Sequence, residues 1–241
     1  MASVRATVSL VAWLVSIGFP AAPPVSTVEQ PIVVHDRVVS LWHYLPPAPS
    51  GSVPGVAELG KLLRRLHQLP SPPFELPSYE PLVAFRRVVS GARCLGADDR
   101  AWLLDEAAEL LATYTELDSA LGHGLVHGDA YPGNVIGTAQ RPILIDWDDA
   151  AVGPREVDLA NVYQGVRFGR DESELEAFAA AYGYELRDWA GMSTLTAIRD
   201  LHTLVSFIRR AESGDVAATT ELRRRLASLR RRDDTVRWTA A

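Results

Sequence analysis

Leu125-Val126-His127-Gly128-Asp129-Ala130-Tyr131-Pro132-Gly133-Asn134-Val135-Ile136, followed after a short loop by Ile143-Leu144-Ile145-Asp146-Trp147-Asp148-Asp149, is the stretch that decides how this 241-residue chain is read. Gly124 to His127 and Pro142 to Asp146 are short apolar runs, read as two strands with a loop between them. Three polar groups, Asp129, Asn134 and Asp146, stand at the ends of such runs. Apolar strands hold groups of this kind rigidly while presenting them at a surface cleft. Pro132 and Gly133 are turn residues, placed to bring Asn134 back toward Asp146.

Outward toward the N-terminus, Val56 to Leu69 carries Leu59, Leu62, Leu63 and Leu66 at helical spacing, with Lys61, Arg64 and Arg65 off the stripe. That pattern predicts an amphipathic helix. Before it, Pro46 to Pro54 is rich in Pro, Ser and Gly and reads as a connector. Pro31 to Leu45 holds two β-rich runs about the polar turn His35-Asp36-Arg37, which predicts a hairpin. Val4 to Ile17 is helix-compatible and meets a stop at Gly18-Phe19-Pro20. Its apolar run behind Arg5 has the outline of a secretory signal. Ser9 and Ser16 interrupt the run, and the basic region has one charge, so a buried helix is the reading adopted.

Toward the C-terminus, a helix is expected near Leu82 to Val89, and Asp98-Asp99 is read as the cap of a long helix from Arg100 to about Leu121. Glu156 to about Arg232 is helical in pattern, with breaks near Gly169, Gly183 and Gly214. The order of elements predicts an α+β chain. The connector divides it into a small part, residues 1–46, made of a helix plus a β-hairpin, and a mostly helical part, residues 47–241.

Bulk composition narrows the function classes. With 47% hydrophobic and 22% charged residues the chain can bury a sizeable core. Its formal charge of −6 argues against a general nucleic-acid binder and suits a cationic small partner. The arginines from Arg223 to Arg232 alternate with Leu222, Leu226 and Leu229, so they are read as the solvated face of an amphipathic helix. The acidic run from Asp171 to Glu176 reads as a helix N-terminus, favoured by the helix dipole. Cys94 is the only cysteine, which leaves no internal disulfide and no zinc cluster. No stretch is apolar enough to span a bilayer, and the expected compartment is cytoplasmic.

The polar triad suits one chemistry. Phosphoryl transfer from a nucleotide needs a carboxylate to orient the attacking hydroxyl and accept its proton, plus oxygen ligands for magnesium at the phosphates. An Asp followed four residues later by an Asn matches the base-to-ligand spacing of the kinase catalytic loop, with Gly128 in the place of its arginine and Asp146 in the place of the later metal-binding aspartate. An asparagine carbonyl ligates a hard cation without adding negative charge beside the phosphates.

The set H-G-D-x-x-x-x-N, a strand ending I-D-W-D-D-A, then Gly153-Pro154 and Asp158-Leu159-Ala160, resembles the aminoglycoside phosphotransferase and choline-kinase-like family. The resemblance implies a protein-kinase-like fold with a truncated small N-terminal lobe and a helical C-terminal lobe. It implies ATP- or GTP-dependent phosphorylation of a hydroxyl on a small, amino-bearing molecule, with Mg2+, and antibiotic resistance as a phenotype of the family. Carried over, Asp129 is the catalytic base, Asn134 and Asp146 bind metal, and His127 and Asp158 brace the loop. The segment Leu41 to Pro46 corresponds to the hinge, so Trp42, Tyr44 and Leu45 would meet the adenine. Asp148 and Asp149 would form a negative wall toward a cationic acceptor. No nucleic-acid or membrane partner is expected.

The sequence also departs from the family. No glycine-rich loop or strand lysine precedes the first helix, and Lys61 is the only lysine in the chain. A downstream start, a truncated and inactive fragment, or a lobe that works with less of the nucleotide cradle would each account for this. The rival reading is a non-catalytic kinase-like nucleotide-binding protein. A metal-dependent hydrolase using His127, Asp129 and Asp146 lacks a second histidine in a ligand pattern. A hairpin without further strands has a free edge, and self-association through it is expected.

Overall fold

The computed structural model describes residues 2–48 and 54–240. In chain order the elements are α1 (Ala2–Ser16), β1 (Ile32–Val34), β2 (Arg37–Val39), α2 (Val56–His67), α3 (Val83–Gly91), α4 (Ala97–Thr115), β3 (His123–Val126), β4 (Val135–Gly137), β5 (Pro142–Leu144), β6 (Ala151–Pro154), α5 (Glu156–Tyr163), α6 (Glu172–Tyr182), α7 (Met192–His202), α8 (Leu204–Glu212) and α9 (Val216–Arg230). The predicted connector Pro46 to Pro54 falls partly outside the described residues.

The described chain forms two compact units. One holds residues 1–79, 121–162 and 173–185; the other holds residues 80–120, 163–172 and 186–241. The first carries all six strands as three antiparallel pairs: β1 with β2, β3 with β6, and β4 with β5. Its core is built from one face of each helix. Leu10, Val11 and Leu14 of α1 are buried, as are Leu59, Leu63 and Leu66 of α2, while Lys61, Arg64 and Arg65 stay exposed. The helical stripe read from the sequence is therefore the buried face. Glu58 accepts the Gly55 backbone N–H at 3.1 Å and closes the start of α2.

Gly60, in the middle of α2, permits a close approach. A Cβ there would lie 2.9 Å from the Phe178 carbonyl and 3.1 Å from the Ala181 methyl, so α6 rests directly on the α2 backbone. Hairpin β1–β2 is a different case. Val33, Val34 and Val38 are exposed, and no other strand pairs with it among the described residues.

The second unit is helical, with Phe85, Val89, Leu103, Ile198, Leu204, Phe207 and Leu226 buried. Three expectations are corrected here. The N-cap of α4 is Gly96, with Asp98 and Asp99 in the first turn, where acidic groups favour the helix dipole without capping it. That helix also ends at Thr115, short of Leu121, because Leu117 to Ala120 lead out to β3. The arginine run is not uniformly solvated either. Arg223 and Arg224 are exposed, but Arg225 is fully buried, bonded to Glu221 at 3.1 Å and to the Thr239 carbonyl at 2.6 Å, with its guanidinium 3.9 Å from the centre of the Phe207 ring. Helical spacing could not reveal it, because the tail residues Trp238 and Thr239 fold back to cover it. The glycine breaks do fall as expected: Gly169, Gly183 and Gly214 have φ of +94°, +92° and +84°.

Candidate active site

Two antiparallel strand pairs of the first unit build the site. In β4–β5, Val135 is opposite Leu144, and the Ile145 N–H donates to the Asn134 carbonyl at 2.9 Å. Asn134 and Asp146 therefore stand at the same end of one hairpin, one residue before β4 and two after β5. The sequence placed both strand ends but missed β4 and β6 as strands, since three residues of Val-Ile-Gly and four of Ala-Val-Gly-Pro carry little periodicity.

In β3–β6, Val126 is opposite Ala151. The loop leaving β3 with His127-Gly128-Asp129 thus emerges beside the turn Asp148-Asp149 that enters β6. Gly128 has φ +83°, and a Cβ on it would lie 2.3 Å from the Asp149 carbonyl oxygen. Only glycine satisfies both demands.

His127 ties the two strand pairs together. Its Nε2–H donates to the Ile145 carbonyl at 2.9 Å, and its Nδ1 accepts the Asp129 N–H at 3.3 Å. That pattern fixes the tautomer and leaves the ring no free nitrogen for proton transfer. Trp147 packs against it, ring centres 4.6 Å apart, and Phe19 packs edge-on to Trp147 at 5.7 Å. Buried Asn134 donates its amide to the Asp129 carbonyl at 2.9 Å and lies 3.5 Å from Asp129 Oδ2, which leaves its side-chain oxygen for a ligand.

Asp129 is half-buried, while Asp146, Asp148 and Asp149 are exposed. Asp146 has φ +66°, a left-handed conformation that costs most non-glycine residues energy and that Asp adopts more readily than most. Partial loss of solvent around the carboxyl, together with the charges of Asp148 and Asp129, pushes it above the usual carboxylate range. A bound cation would relieve that repulsion. An amide oxygen and carboxylate oxygens are donors of the type that hard Mg2+ prefers, and the two together leave coordination positions for phosphate and water. Among the described residues, no three His, Cys, Asp or Glu side chains gather into a metal cluster of their own.

Asp158, fully buried on α5, accepts the backbone N–H groups of His127 and Gly128, both at 2.8 Å. Burial alone would raise its pKa; the hydrogen bond and charge of His67, with the His127 contacts, hold it below the usual value instead. Trp42 and Tyr44 are exposed and Leu45 is half-buried. The segment that carries them continues to Ala48, whose N–H donates to Gly137 at 2.8 Å, the end of β4 opposite Asn134. Sequence reading set His67 in a family-like helix without giving it a contact, and missed Tyr182; His67 lies 3.0 Å from Asp158 and 2.8 Å from the Tyr182 hydroxyl. His67 lies four residues beyond Leu63, on the apolar stripe of α2, and a histidine on that stripe was the available signal.

Residues 1–195 match the phosphotransferase enzyme family, and the chain belongs to it. Among solved structures, it is similar to an amicoumacin kinase, hAmiN, in complex with AMP-PNP, Ca2+ and Ami, at 14% identity and TM-score 0.73, covering 98% of this chain and 79% of that one. It is similar to the choline kinase LicA from Streptococcus pneumoniae at 17% identity and TM-score 0.60, covering 89% and 77%. It is also similar to the aminoglycoside phosphotransferase APH(3'')-Id from Streptomyces rimosus in complex with ADP and streptomycin, at 23% identity and TM-score 0.57, covering 83% and 82%. No curated protein matches it in sequence. The fold is protein-kinase-like, with few strands, as the resemblance implied. Among the described residues, no helix is long and apolar enough to cross a membrane.

Proposed function

We propose that this chain transfers the γ-phosphoryl group of ATP or GTP to a hydroxyl of a small, amino-bearing molecule. The observation that carries the reading is the convergence of Asp129, Asn134 and Asp146 at one end of the β4–β5 hairpin, locked by the two bonds of His127. Asp129 orients the acceptor hydroxyl and takes its proton as the oxygen attacks in line. The Asn134 oxygen and the Asp146 carboxylate hold magnesium, which supplies charge neutralisation at the phosphates when bound. Asp158 and His127 keep the loop in place. Trp42, Tyr44 and Leu45 meet the adenine, and Asp148 with Asp149 face a cationic acceptor. Functionally, residues 1–46 serve as the nucleotide-side lobe and residues 47–241 as the catalytic and acceptor lobe, in the cytoplasm.

A second reading has its own support. Lys61, the chain's only lysine, is exposed on α2, so no strand lysine serves the phosphates within these 241 residues. Nucleotide binding without turnover is the rival. Both are tested by incubating the protein with ATP or GTP, magnesium and a panel of streptomycin, spectinomycin, choline and ethanolamine, with mass spectrometry of the small molecules. Gain of one phosphate on any of them supports transfer. Nucleotide binding with no product across a broad panel of amino alcohols selects the binding protein.

A further inference from the structure

One glutamine side chain fastens the extended segment that carries Trp42 and Tyr44. In the β1–β2 hairpin Ile32 is opposite Val39, and the same register carried outward sets Gln30 opposite Leu41. There the Gln30 side chain makes the bonds. Its Oε1 accepts the Leu41 N–H at 2.7 Å, and its Nε2 donates to the Val25 carbonyl at 2.7 Å and to the Leu41 carbonyl at 3.2 Å. The amide thus works as a peptide group laid between two pieces of chain, with its acceptor and both N–H donors in use. The Val25 N–H donates to the Leu41 carbonyl at 2.9 Å, and the His43 N–H to the Pro23 carbonyl at 3.0 Å. Leu41 and His43 are therefore paired toward residues 23–30. Backbone groups of successive residues in an extended chain point to opposite edges, so those of Trp42 and Tyr44 face the other way. Among the described residues they have no backbone partner. The Trp42 indole N–H is fixed on Ser40 Oγ at 2.9 Å.

We propose that Gln30 is a positioning residue for the nucleotide, holding the open backbone edge of Trp42 and Tyr44, with the Trp42 ring, in the orientation that meets the base. The proposal rests on the phosphotransferase reading and extends it to a residue outside the segment that reading uses. Trp42, His43 and Tyr44 are exposed, so packing does little to fix them. The hydrogen bonds at Leu41 and His43 are what orders this stretch. A segment left loose in the free protein must be ordered by its ligand, and that cost is taken from the affinity. The chemistry of the position is narrow. An aliphatic side chain at residue 30 would leave the Leu41 N–H and the Val25 carbonyl without the partner they have. Only Asn and Gln carry a carbonyl and an NH2 on one planar group, and Asn is one methylene shorter.

The test uses the full chain and calorimetry with two probes. One is magnesium-ATP, or magnesium-GTP if that binds more tightly; the other is magnesium-tripolyphosphate, which keeps the phosphates and lacks the base. Gln30→Met keeps the length of the side chain and removes all three bonds. Gln30→Glu keeps an acceptor for Leu41 and turns a carboxylate toward two carbonyl oxygens. In Q30M, nucleotide affinity is expected to fall about 5- to 30-fold, the scale of ordering one backbone residue on binding, while tripolyphosphate affinity changes less than about twofold. Q30E should lose at least as much nucleotide affinity as Q30M. With the acceptor that gains phosphate in the panel above, the KM for nucleotide should rise by the same factor and kcat should hold, because Asp129 is untouched. Amide hydrogen exchange at Leu41 and His43 should speed up in Q30M. If Q30M does not fold, Q30E with the same two probes decides. Unchanged nucleotide affinity overturns the proposal, as does an equal loss for both probes, which would make Gln30 a general support of the fold. Failure of the unaltered protein to bind either nucleotide would overturn the phosphotransferase reading itself, whereas tight binding that Q30M leaves intact defeats only the role of Gln30.

Discussion

Replacing Gly128 by alanine probes the packing that sets the catalytic loop beside the Asp148-Asp149 turn. The added methyl would sit 2.3 Å from the Asp149 carbonyl oxygen and 2.9 Å from its carbon. A carbon–oxygen contact relaxes at about 3.3 Å, so the loop or the turn must yield by about 1 Å. The φ of +83° adds a backbone penalty of about 1–2 kcal/mol for any residue with a Cβ. Moving Gly128 also stretches its N–H bond to the buried Asp158, and a hydrogen bond to a charged group contributes about 1.5–3 kcal/mol. Stability should therefore fall by about 2–4 kcal/mol after partial relaxation. Because Asp129 is the next residue, a shift of that size should slow transfer about 10²-fold. Urea unfolding and steady-state kinetics measure the two effects. Gly91→Ala is the control, since a Cβ there meets nothing within 4 Å. If G128A keeps its stability within about 0.5 kcal/mol and its rate within about twofold, the loop is not wedged as described.

Three other outcomes are expected. Asp146→Ala should weaken magnesium-dependent nucleotide binding more than metal-free binding, by calorimetry in both conditions; equal losses would remove Asp146 from the metal. Arg225→Met should cost about 1–3 kcal/mol in urea unfolding, because buried Glu221 loses its Arg225 bond and keeps only Arg224 at 3.5 Å and the Thr239 N–H at 2.8 Å. The double variant with Glu221→Gln should regain part of that loss, and simple additivity would show the pair is not coupled. The bare hairpin β1–β2, with Val33 and Val34 exposed, should drive self-association visible by sedimentation, reduced in Val33→Lys; a monomer at all concentrations would refute it.

The helices of this chain were legible where one face is apolar throughout. The stripe of α2 and the positive-φ glycines between the later helices are local signals, and local physics decides both. The proposed site residues were singled out for another reason: the spacing of Asp129 and Asn134 matches that of a kinase catalytic loop, and the fold sets both at the Asp146 end of the β4–β5 hairpin. What stayed hidden depends on distant partners. Strands β4 and β6 are too short for periodicity and exist because β5 and β3 pair with them. Arg225 is buried by a tail and an aromatic ring far from it in sequence, and an arginine among arginines gives no sign of that. His67 and Tyr182 meet only because α2 and α6 pack through Gly60.

The central claim is that Asp129 activates an acceptor hydroxyl, and Asp129→Asn tests it most directly. The substitution keeps the size of the side chain and removes its capacity to accept the proton. Phosphate gained by the acceptor should appear about 10²-fold or more slowly in D129N, while nucleotide affinity and urea stability remain close to those of the unaltered protein. A folded D129N that binds nucleotide and transfers phosphate at the normal rate would contradict the account.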